Sequence, residues 1–457
     1  MMSADQNGLI TKVGPKTPGG ALMRHYWQPA ALVDELEGDR KVVPVRLLSE
    51  DLVLFVSGQD ENGAKTYGLL RRDCPHRGAD LAYGRVEQGG LRCAFHGWKF
   101  DADGNCLDTP AEPIGSRLCA NIKQPAYKAV AKSGIIWAWM GQGDAPEFPE
   151  LDCFAAPDTH VFAFKGLWEC NWLQALEVGI DPAHASFLHR FFHDEDTKDA
   201  YGKQFRAASA GSDLPMTMVL REYDRPIINV ENTEYGLRLI ALREIDEERT
   251  HVRVTNQVFP HGFAIPLSTE MTITQWHVPV DDNNCYWYAI FVSYTKPVEK
   301  EKMRAQRMAM HEGPMYRSRR NKSNEYGFDP REQEEETYTG MGFDINVHDQ
   351  WAVESLGATQ DRTREHLGTS DKGIIAYRRM LREQIKRVQE GETPMMVFDK
   401  RTRKSVQGPA TMDGIGPTRG WELFWMEVDV RRRRNAPWDV PVPADIAEGT
   451  AHIVIQD

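Results

Sequence analysis

Residues 71–100 constrain this chain more than any other stretch, because they bring two cysteines and two histidines into a metal-binding pattern. The stretch reads RRDCPHRGADLAYGRVEQGGLRCAFHGWKF and contains Cys74-x-His76 and Cys93-x-x-His96, with residues 77–92 between the two pairs. Thiolate and imidazole are ligands of both structural zinc and iron–sulfur clusters, so the metal stays open at this point. Seven cysteines among 457 residues are too few for a disulfide framework, and we expect these thiols to be reduced.

The charge and hydropathy of the chain argue against two classes of protein. A formal net charge of -12 argues against a nucleic-acid binder, which needs a basic face for phosphate contacts. No apolar run approaches the ~18 residues that a membrane span needs, and the first residues lack the basic and apolar pattern of an export signal. We therefore expect a cytoplasmic protein that binds neither nucleic acid nor membrane.

The pattern of strands and helices predicts an α+β chain with two or more domains, as its length requires. Short Val- and Leu-rich runs over 40–145 predict β-hairpins, and the Pro- and Gly-containing stretch 141–152 predicts a domain boundary. Longer strand patterns over 216–295 predict a large antiparallel sheet. Helices are predicted near 297–312 and 370–391, residues 313–345 are predicted to be loop, and the tail after 392 shows no clear pattern.

A second group of metal-binding residue types occurs at 181–189, in the sequence DPAHASFLH. Asp181 followed by Pro182 is typical of a helix start, so the preceding helical pattern should break at 179–181. On an ideal helix His184 and His189 lie ~140° apart and cannot both face one metal ion. A widened turn or a helix end near 185–186 would have to bring them together; otherwise they are two unrelated surface histidines.

The first stretch closely resembles the Rieske [2Fe-2S] motif, C-x-H-R-G followed by C-x-x-H-G-W. One Cys and one His in each glycine-containing loop, with a tryptophan after the second histidine, favour this motif over structural zinc. The resemblance implies that Cys74 and Cys93 hold the inner iron and that His76 and His96 hold the outer iron. Imidazole ligands in place of thiolates raise the reduction potential of such a cluster.

Together with the upstream Rieske motif, His184 and His189 resemble the mononuclear iron site of the Rieske non-haem iron oxygenases, where D-x2-H-x4-H follows the Rieske domain. Two histidines and a carboxylate hold Fe(II) in such oxygenases and leave positions open for O₂ and substrate. The best match for the carboxylate, which comes from far downstream in this family, is Asp349 in NVHDQWAVES. The alternatives are Asp344, Glu354 and Asp361.

The same resemblance gives two further residues a role. It implies that Asp181 bridges the mononuclear centre to His96 of the partner subunit, and hence that the protein is a homotrimer or a hexamer built from trimers. Asn171, in ECNWLQALE, matches an asparagine near the iron in this family. A helix-face amide without a catalytic role is an equally good interpretation of Asn171.

The resemblance covers nearly the whole chain and implies its domain organisation. Residues 1–25 are expected to pack on the catalytic domain, 26–150 to form an all-β Rieske domain, and 151–457 to form the catalytic domain. The expected catalytic fold is a large antiparallel sheet covered by helices, of the helix-grip (START-like) type.

Three stretches resemble the phthalate dioxygenase branch: ECNWLQALEVGIDPAHASFLH, THVRVTNQVFPHGFAIP and VESLGATQDRTREHLGTSDKGIIAYRRML. This branch implies one kind of oxygenase subunit, fed by an NADH-dependent reductase that carries FMN and a plant-type [2Fe-2S] cluster. It also implies an aromatic carboxylate substrate, such as a phthalate or a substituted benzoate, and reaction with O₂ by dihydroxylation, O-demethylation or ether cleavage.

An anionic substrate in an apolar pocket needs a cation, and three arginines on the predicted sheet are candidates. They are Arg238, Arg243 and Arg253, and the alternative for each is a solvated strand residue. The four arginines at 431–434 could dock an acidic reductase, or form a solvated face paired with nearby acids. Two other functions stay open: a Rieske electron-transfer protein without oxygen chemistry, and a zinc-stabilised binding module.

Overall fold

The computed structural model describes residues 2–194, 214–398 and 406–450. The helices are α1 (Ala4–Thr11), α2 (Pro18–Met23), α3 (Asp152–Ala155), α4 (Trp172–Ile180), α5 (Ala185–Leu188), α6 (Met216–Glu222), α7 (Lys300–Met310), α8 (Pro330–Glu335), α9 (Ile345–Glu354), α10 (Lys372–Gln389), α11 (Trp421–Arg434) and α12 (Ala444–Thr450). None of the helices in these ranges is long and apolar enough to cross a membrane.

The strands of the first half are β1 (Trp27–Leu32), β2 (Val42–Leu47), β3 (Glu50–Gln59), β4 (Lys65–Arg71), β5 (Arg85–Glu87), β6 (Gly90–Arg92), β7 (Lys99–Phe100), β8 (Cys106–Asp108), β9 (Ala126–Lys132), β10 (Ile135–Trp139) and β11 (Glu150–Leu151). Those of the second half are β12 (Val161–Trp168), β13 (Ile227–Thr233), β14 (Gly236–Glu244), β15 (Arg249–Val258), β16 (Gly262–Pro266), β17 (Met271–Pro279), β18 (Cys285–Ser293), β19 (His311–Glu312), β20 (Arg317–Ser318), β21 (Gln407–Gly408) and β22 (Met412–Pro417).

The N-terminal half folds into two small antiparallel sheets. A six-stranded sheet has the order β1-β10-β9-β4-β3-β2, and a four-stranded sheet has the order β5-β6-β7-β8. Strand β2 buries alternate residues, as its apolar–polar alternation predicts. The two stretches with cysteine and histidine connect β4 to β5 and β6 to β7, so one small β-domain positions both.

The C-terminal half is built on one large sheet with the order β13-β14-β15-β16-β17-β18-β12-β20-β19, while β22 pairs with β15. Strands β14 and β18 are buried along almost their whole length, and β18 is accordingly apolar along nearly all of it, whereas β14 also buries Arg238 and Arg243. Helices α4 and α10 pack against this sheet. The expected α+β fold, with a β-domain followed by a large antiparallel sheet covered by helices, is confirmed.

The first helices lie on the C-terminal half of the chain. Helices α1 and α2 both contact α10. The Asn7 side chain donates a hydrogen bond to the carbonyl of Gln360 (2.9 Å), and the Val13 amide donates to Asp282 Oδ1 (2.9 Å). The end of the last expected domain lies outside the described residues, since 451–457 are not among them.

An aromatic cluster joins the two halves of the molecule. Trp137 on β10 meets Trp276 on β17 edge to face, with ring centroids 5.0 Å apart. Phe148 stacks on Trp27 at 4.8 Å, and Phe154 on α3 lies 5.2 Å from Trp137. The predicted boundary segment 141–152 is therefore not a free linker, because Phe148 within it belongs to the shared core.

The sequence pattern was wrong at residues 216–222, which were predicted as strand and form helix α6. Regular structure also occurs in two places where the pattern did not show it. Helix α8 lies within the predicted loop 313–345, and the tail after 392 supplies β22, α11 and α12. Helix α11 lacks a clear apolar stripe because it buries a charged pair, Asp429 and Arg433, beside Trp425. Buried ion pairs break the apolar periodicity on which sequence-based helix prediction depends.

Candidate metal centres

Two turns with the same backbone hydrogen bonds carry the paired cysteines and histidines. In the first turn the amide of Cys74 donates to Ala79 O and the amide of Gly78 donates to Cys74 O, both at 2.8 Å. In the second turn Cys93 N donates to Trp98 O (2.8 Å) and Gly97 N donates to Cys93 O (3.0 Å). The turns therefore match residue by residue, although the histidine is displaced by one position between them.

Glycine is required at the same place in both turns. Gly78 and Gly97 each have φ of +77°, a left-handed conformation that side chains with a Cβ rarely adopt. A Cβ at Gly97 would also lie 2.7 Å from Cγ of Pro110, so that position needs glycine for space as well. The C-x-H-x-G and C-x-x-H-G patterns thus follow from the backbone of the turns.

The turns point their cysteines inward and their histidines towards the surface. Cys74 and Cys93 are buried and in contact with each other, and burial raises the pKa of Cys74 to about 11 against the opposing effect of the His76 amide. The rings of His76 and His96 lie 4.5 Å apart and are half-buried. His76 stacks on Trp98 at 4.4 Å, nearly parallel.

This donor arrangement fits a two-iron cluster with unlike ends. Two buried thiols form one end of the site and two half-buried imidazoles form the other. His96 Nδ1 is buried and has no hydrogen-bond partner among the described residues, so it is available as a ligand. A Rieske cluster requires two thiolates on one iron and two imidazoles on the other.

The second group of ligand types forms where α4 ends. Helix α4 stops at Ile180, and Asp181 is its C-cap in extended conformation. A separate single-turn helix, α5, runs from Ala185 to Leu188, so the predicted break at 179–181 is confirmed. His184 is the N-cap of α5, and His189 is its C-cap.

A helix end brings the two histidines together, as their spacing requires. The backbone stays helical through residues 185–186 and leaves the helix at His189, with φ of -106° and ψ of 23°. The rings of His184 and His189 consequently lie 5.1 Å apart. The turn is therefore not widened at 185–186, and the helix end at the second histidine provides the convergence.

Asp349 on α9 completes a three-residue group. Its Oδ1 lies 3.7 Å from Nε2 of His184 and 3.2 Å from Nε2 of His189. One donor atom from each of the three residues lies within 4.8 Å of the others, and no other such group is found in the described ranges. Burial raises the pKa of Asp349, but His189 and His184 outweigh that effect and lower it, so the carboxylate is ionised.

Hydrogen bonds on the far side of each ring fix which nitrogen faces Asp349. His184 Nδ1 donates to the backbone carbonyl of Asp181. His189 Nδ1 lies 3.5 Å from Nδ1 of His348, whose Nε2 donates to Gly342 O (2.9 Å). With its proton on Nε2, His348 accepts at Nδ1, which leaves Nε2 of His189 unprotonated and directed at Asp349.

His348 was not predicted, although it directly precedes Asp349. It is fully buried, its ring is stacked on His189 with centroids 5.7 Å apart, and burial lowers its pKa to about 4. Its position next to a predicted carboxylate ligand was a usable signal. No spacing rule, however, connects residue 348 to residue 189.

The alternative carboxylates at the downstream position have other partners. Asp344 caps α9 by accepting from the Asn346 amide (3.1 Å). Glu354 accepts from the Glu169 amide (2.8 Å) and from the Tyr326 hydroxyl (2.7 Å). Asp361 caps a short 3-10 turn at Thr363.

Asn171 serves as a helix cap. Its side-chain oxygen accepts from the Leu173 amide (3.1 Å), and its NH₂ group donates to the carbonyls of Thr11 (3.0 Å) and Asp282 (2.7 Å). It is fully buried and does not line the cavity beside His184. These contacts match the structural interpretation of Asn171.

An apolar cavity of about 110 Å³ opens beside the three-residue group. Its apolar wall includes Trp168, Val178, Phe191, Leu220, Phe263, Ile265, Leu267, Ile273 and Trp287. Its polar lining includes Thr255, Gln275, Asn346, Arg243 and Arg253. A pocket with apolar walls and few polar groups is typical of a binding site for a small, largely apolar molecule.

Two of the three candidate arginines reach this cavity, and the third does not. Arg238 is buried on the other face of β14, in ion pairs with Glu231 and Asp445 and over the ring of Trp425. The hypothesis that Arg238 contacts a substrate in this cavity is therefore wrong. Arg253 lines the cavity but forms an ion pair with Asp413.

The four arginines at 431–434 do not form a uniform basic face. Arg433 is buried and bonds Asp429 Oδ2 (2.6 Å) and Asp152 Oδ1 (2.9 Å), while Arg432 pairs with Asp429. The flanking residues at 431 and 434 are exposed. Two of the four arginines suggested for docking a reductase are therefore engaged in ion pairs within the fold.

Comparisons with known proteins agree with this architecture. The model of the Rieske [2Fe-2S] domain matches residues 26–123, and the model described as "LigXa C-terminal domain like" matches residues 138–423. The oxygenase subunit of phthalate 4,5-dioxygenase from Pseudomonas putida is 35% identical over 415 residues, covering 88% of this chain and 90% of that protein. The oxygenase subunit of 5,5'-dehydrodivanillate O-demethylase from a Sphingobium strain is 31% identical over 428 residues, covering 91% and 89%.

Solved structures show the same fold at lower identity. Dicamba monooxygenase bound to dicamba superposes with a TM-score of 0.52 at 17% identity, covering 81% of this chain and 99% of that one. A mutant of NdmA from Pseudomonas putida CBB5 with caffeine gives 0.54 at 19% identity, covering 82% and 94%.

The chain therefore belongs to the Rieske non-haem iron oxygenases, in the branch that contains phthalate dioxygenase. It is an oxygenase subunit, and its cofactors are a Rieske [2Fe-2S] cluster and a mononuclear non-haem iron. An electron carrier without oxygen chemistry and a zinc-stabilised binding module are thereby excluded.

Proposed function

We propose that this protein is the terminal oxygenase for an aromatic carboxylate, and that an NADH-dependent FMN/[2Fe-2S] reductase supplies its electrons. The observation that carries the substrate class is a buried, unpaired arginine in the wall of the cavity. The relatives named for phthalate 4,5-dioxygenase and 3-chlorobenzoate-3,4-dioxygenase act on aromatic acids by their names, which supports the same class here.

In this proposal each metal group is held by its own set of side chains. Cys74 and Cys93 hold the inner iron of the cluster, His76 and His96 hold the outer iron, and the mononuclear iron is held by His184, His189 and Asp349. When bound, the cluster supplies single electrons and the ferrous ion supplies the site where O₂ and substrate meet. The protein residues around the iron keep both imidazoles in the tautomer that binds metal and line the cavity that holds the substrate.

Arg243 is the group that we propose for the substrate carboxylate. It is 2% exposed, lines the cavity, and forms no ion pair within 4.0 Å of a carboxylate in the described ranges, although the charge of Asp413 acts on it from further away. Its Nε donates to Tyr223 O (3.0 Å) and its Nη2 to Ser186 Oγ (3.2 Å), while Nη1 has no hydrogen-bond partner in the described ranges. Burial, and then the charge of Arg253, lower the pKa of Arg243 to about 10.

An unpaired buried guanidinium is costly unless a ligand pairs with it. A carboxylate at Nη1 would supply the missing acceptor together with a negative charge in direct contact, since Asp413 is paired with Arg253 and His251. Because Ser186 lies between His184 and His189 on one turn, a substrate held by Arg243 stays next to that turn. The ring of the substrate would then occupy the apolar cavity beside Asp349.

Arg253 has a different role in this proposal. It shares Asp413 with His251, whose Nε2 lies 3.3 Å from Asp413 Oδ1. Its positive charge is therefore already compensated inside the protein. We expect Arg253 to shape the cavity rather than to hold the substrate carboxylate.

The test of the substrate class is substrate-dependent O₂ uptake with acids and their methyl esters. A panel of benzoates, phthalates and methoxy- or phenoxybenzoates is offered to the oxygenase with its reductase, and product masses are recorded. For Arg243→Gln the KM for the active acid should rise about 10- to 100-fold, since a hydrogen bond to a charged group contributes about 1.5–3 kcal/mol. The KM for the methyl ester, which lacks the negative charge, should rise much less.

Two control variants make the result specific. Arg243→Lys keeps the charge, and its KM for the acid should lie between the values of the wild type and of Arg243→Gln. Arg238→Gln removes a buried arginine outside the cavity and should leave the KM of the acid unchanged. If the KM values for acid and ester rise equally in Arg243→Gln, the role of this residue is purely structural. If no acid stimulates O₂ uptake, the proposed substrate class is wrong.

We also propose that the protein works as a trimer, in which Asp181 links neighbouring subunits. The Asp181 side chain accepts from the Ala183 amide (2.8 Å) and lies on the wall between the substrate cavity and an outer cleft. That cleft exposes Phe187, Phe328 and Tyr338. On the cluster domain Phe95 is 59% exposed directly beside His96, so a second copy has an apolar surface that can enter the cleft.

The variant Asp181→Asn tests this link. It should keep both metal groups and the oligomeric state, because neither depends on the carboxylate charge. Turnover should fall about 10- to 100-fold, as is usual for residues adjacent to metal ligands. Sedimentation and iron content check the first part, and O₂ uptake checks the second; a monomeric wild type or full turnover in the variant contradicts the proposed role.

A further inference from the structure

Two thiols outside both metal groups lie against each other at the edge of the cluster domain. Sγ of Cys106, on β8, is 2.9 Å from Sγ of Cys119, which opens a 3-10 turn at Cys119–Asn121. Both residues are partly exposed, and residues 107–118 between them run over the surface. A disulfide needs the two sulfurs about 2.0 Å apart, so the present separation exceeds the bond length by only about 1 Å.

The other cysteines are unsuited to this reaction. Cys153, Cys170 and Cys285 are at most 1% exposed, although Cys170 and Cys285 hydrogen-bond to each other. The remaining two belong to the cluster site. All seven cysteines lie in the described part of the chain, and the pair at 106 and 119 alone combines contact with access to solvent.

We propose that Cys106 and Cys119 are a peroxide-sensitive dithiol that forms a reversible disulfide. In the reaction both S–H bonds and the O–O bond of hydrogen peroxide break, one S–S bond forms, and two water molecules are released. The first oxidation product is a sulfenic acid on one thiol, which the other thiol then displaces with loss of water. A thiol reductant reverses the reaction by exchange.

The pair should react slowly with peroxide at neutral pH. Burial, and then the interaction with the neighbouring Cys119 thiol, raise the pKa of Cys106 to about 12. Because the thiolate is the reactive form, the disulfide should form slowly near pH 7 and faster as the pH rises. This favours a site that responds to an excess of peroxide over one that is permanently oxidised.

The segment that the disulfide would close rests on the turn of His96. Asp108 accepts from Arg92 Nη1 (2.9 Å), and the same nitrogen donates to Gly97 O. Pro110 lies against Gly97 so closely that a Cβ there would be 2.7 Å from Pro110 Cγ. Closing residues 106–119 into a ring therefore restricts a segment that supports the exposed end of the cluster site.

The test uses the full-length holoenzyme at pH 7 and pH 9, with and without hydrogen peroxide. Free thiols are then blocked with iodoacetamide, and the protein is digested without reductant for mass spectrometry. We expect a cross-linked peptide that contains both Cys106 and Cys119, forms faster at pH 9, and disappears after dithiothreitol. Cys153, Cys170 and Cys285 should stay thiols that label only after denaturation.

Two single variants provide the controls. Cys106→Ser and Cys119→Ser each remove the cross-link while leaving the cluster ligands in place. Amide hydrogen exchange over residues 107–118 should slow after oxidation of the wild type and stay unchanged in either variant. This readout needs no substrate, so it is independent of the proposed function.

Several outcomes would overturn the proposal. They are separate sulfinic acids at residues 106 and 119, unmodified thiols at both after peroxide, or a cross-link to one of the buried cysteines. Loss of the cluster's visible absorbance before the cross-link forms would also overturn it, because the cluster would then be the more sensitive site.

Discussion

The proposed cluster ligands and the proposed ligands of the mononuclear iron come from the chain in contrasting ways. The first four lie within residues 74–96, on two turns whose backbone hydrogen bonds match and whose glycines occupy the same position. The second three come from the two ends of α5 and from α9, which are distant in sequence and meet only in the folded domain. A local site is formed by its turns, whereas a dispersed site depends on the packing of the whole domain.

The largest expected effects come from substitutions that remove one metal group and leave the other in place. His189→Ala should lose the mononuclear iron and all oxygenation while keeping the cluster and its visible spectrum. Cys93→Ser should lose the cluster while the other iron still binds. Iron and sulfide per chain, with the absorbance spectrum, measure both; loss of both metal groups in either variant would mean that the two sites do not form independently.

An intermediate effect is expected for a residue that supports the dispersed site. His348→Phe keeps a ring against His189 but removes the acceptor for its Nδ1–H, so the metal-binding tautomer is no longer favoured. The affinity for ferrous iron should fall about 10- to 100-fold, as for other residues that orient metal ligands. Chelator competition measures the affinity.

The cluster spectrum serves as the folding control for the His348 variant, because the cluster turns do not contact that residue. Unchanged iron affinity would show that Asp349 and the two histidines need no support from His348. A decrease in cluster content would instead show that the substitution acts on the whole fold.

The smallest expected effect concerns the stability of the local site. Gly115 and Gly97 both have positive φ, but only Gly97 lies against Pro110. Gly115→Ala should cost about 1–2 kcal/mol of unfolding free energy for the backbone conformation alone. Gly97→Ala should cost about 1–3 kcal/mol more, because its methyl group overpacks the turn.

Denaturant unfolding of the two glycine variants measures this difference. The iron content of the mononuclear site should be the same in both. If Gly97→Ala is no less stable than Gly115→Ala, the contact between the second turn and Pro110 does not constrain the cluster site.

The same contrast explains how much could be predicted from the sequence. The Rieske motif was recognisable because all of its residues are close in sequence and the glycines mark the turns. Helix geometry alone showed that His184 and His189 need a widened turn or a helix end to converge, but the predicted position near residues 185–186 was wrong, because the helix ends at His189. Asp349 was reached only through the resemblance, since no spacing rule links it to the histidines.

The candidate arginines illustrate a distinction that could not be predicted from the sequence. Arg238 and Arg243 are five positions apart on β14, so they point to opposite faces of the strand. The sequence does not tell which face meets the cavity, because β14 is buried on both faces and carries one arginine on each. The distinction depends on Asp445 and Trp425, which come from the C-terminal tail and contact only one of the two faces.

The aromatic cluster that joins the two halves of the molecule has a consequence for electron delivery. Trp27 and Trp137 come from the β-domain, Trp276 comes from the large sheet and contacts Trp137, and Phe148 from the connecting segment packs against Trp27 and Trp137. A domain held by such a core cannot swing as a mobile carrier between donor and acceptor. Any partner that gives or takes an electron has to come to a surface whose direction is fixed by the rest of the protein.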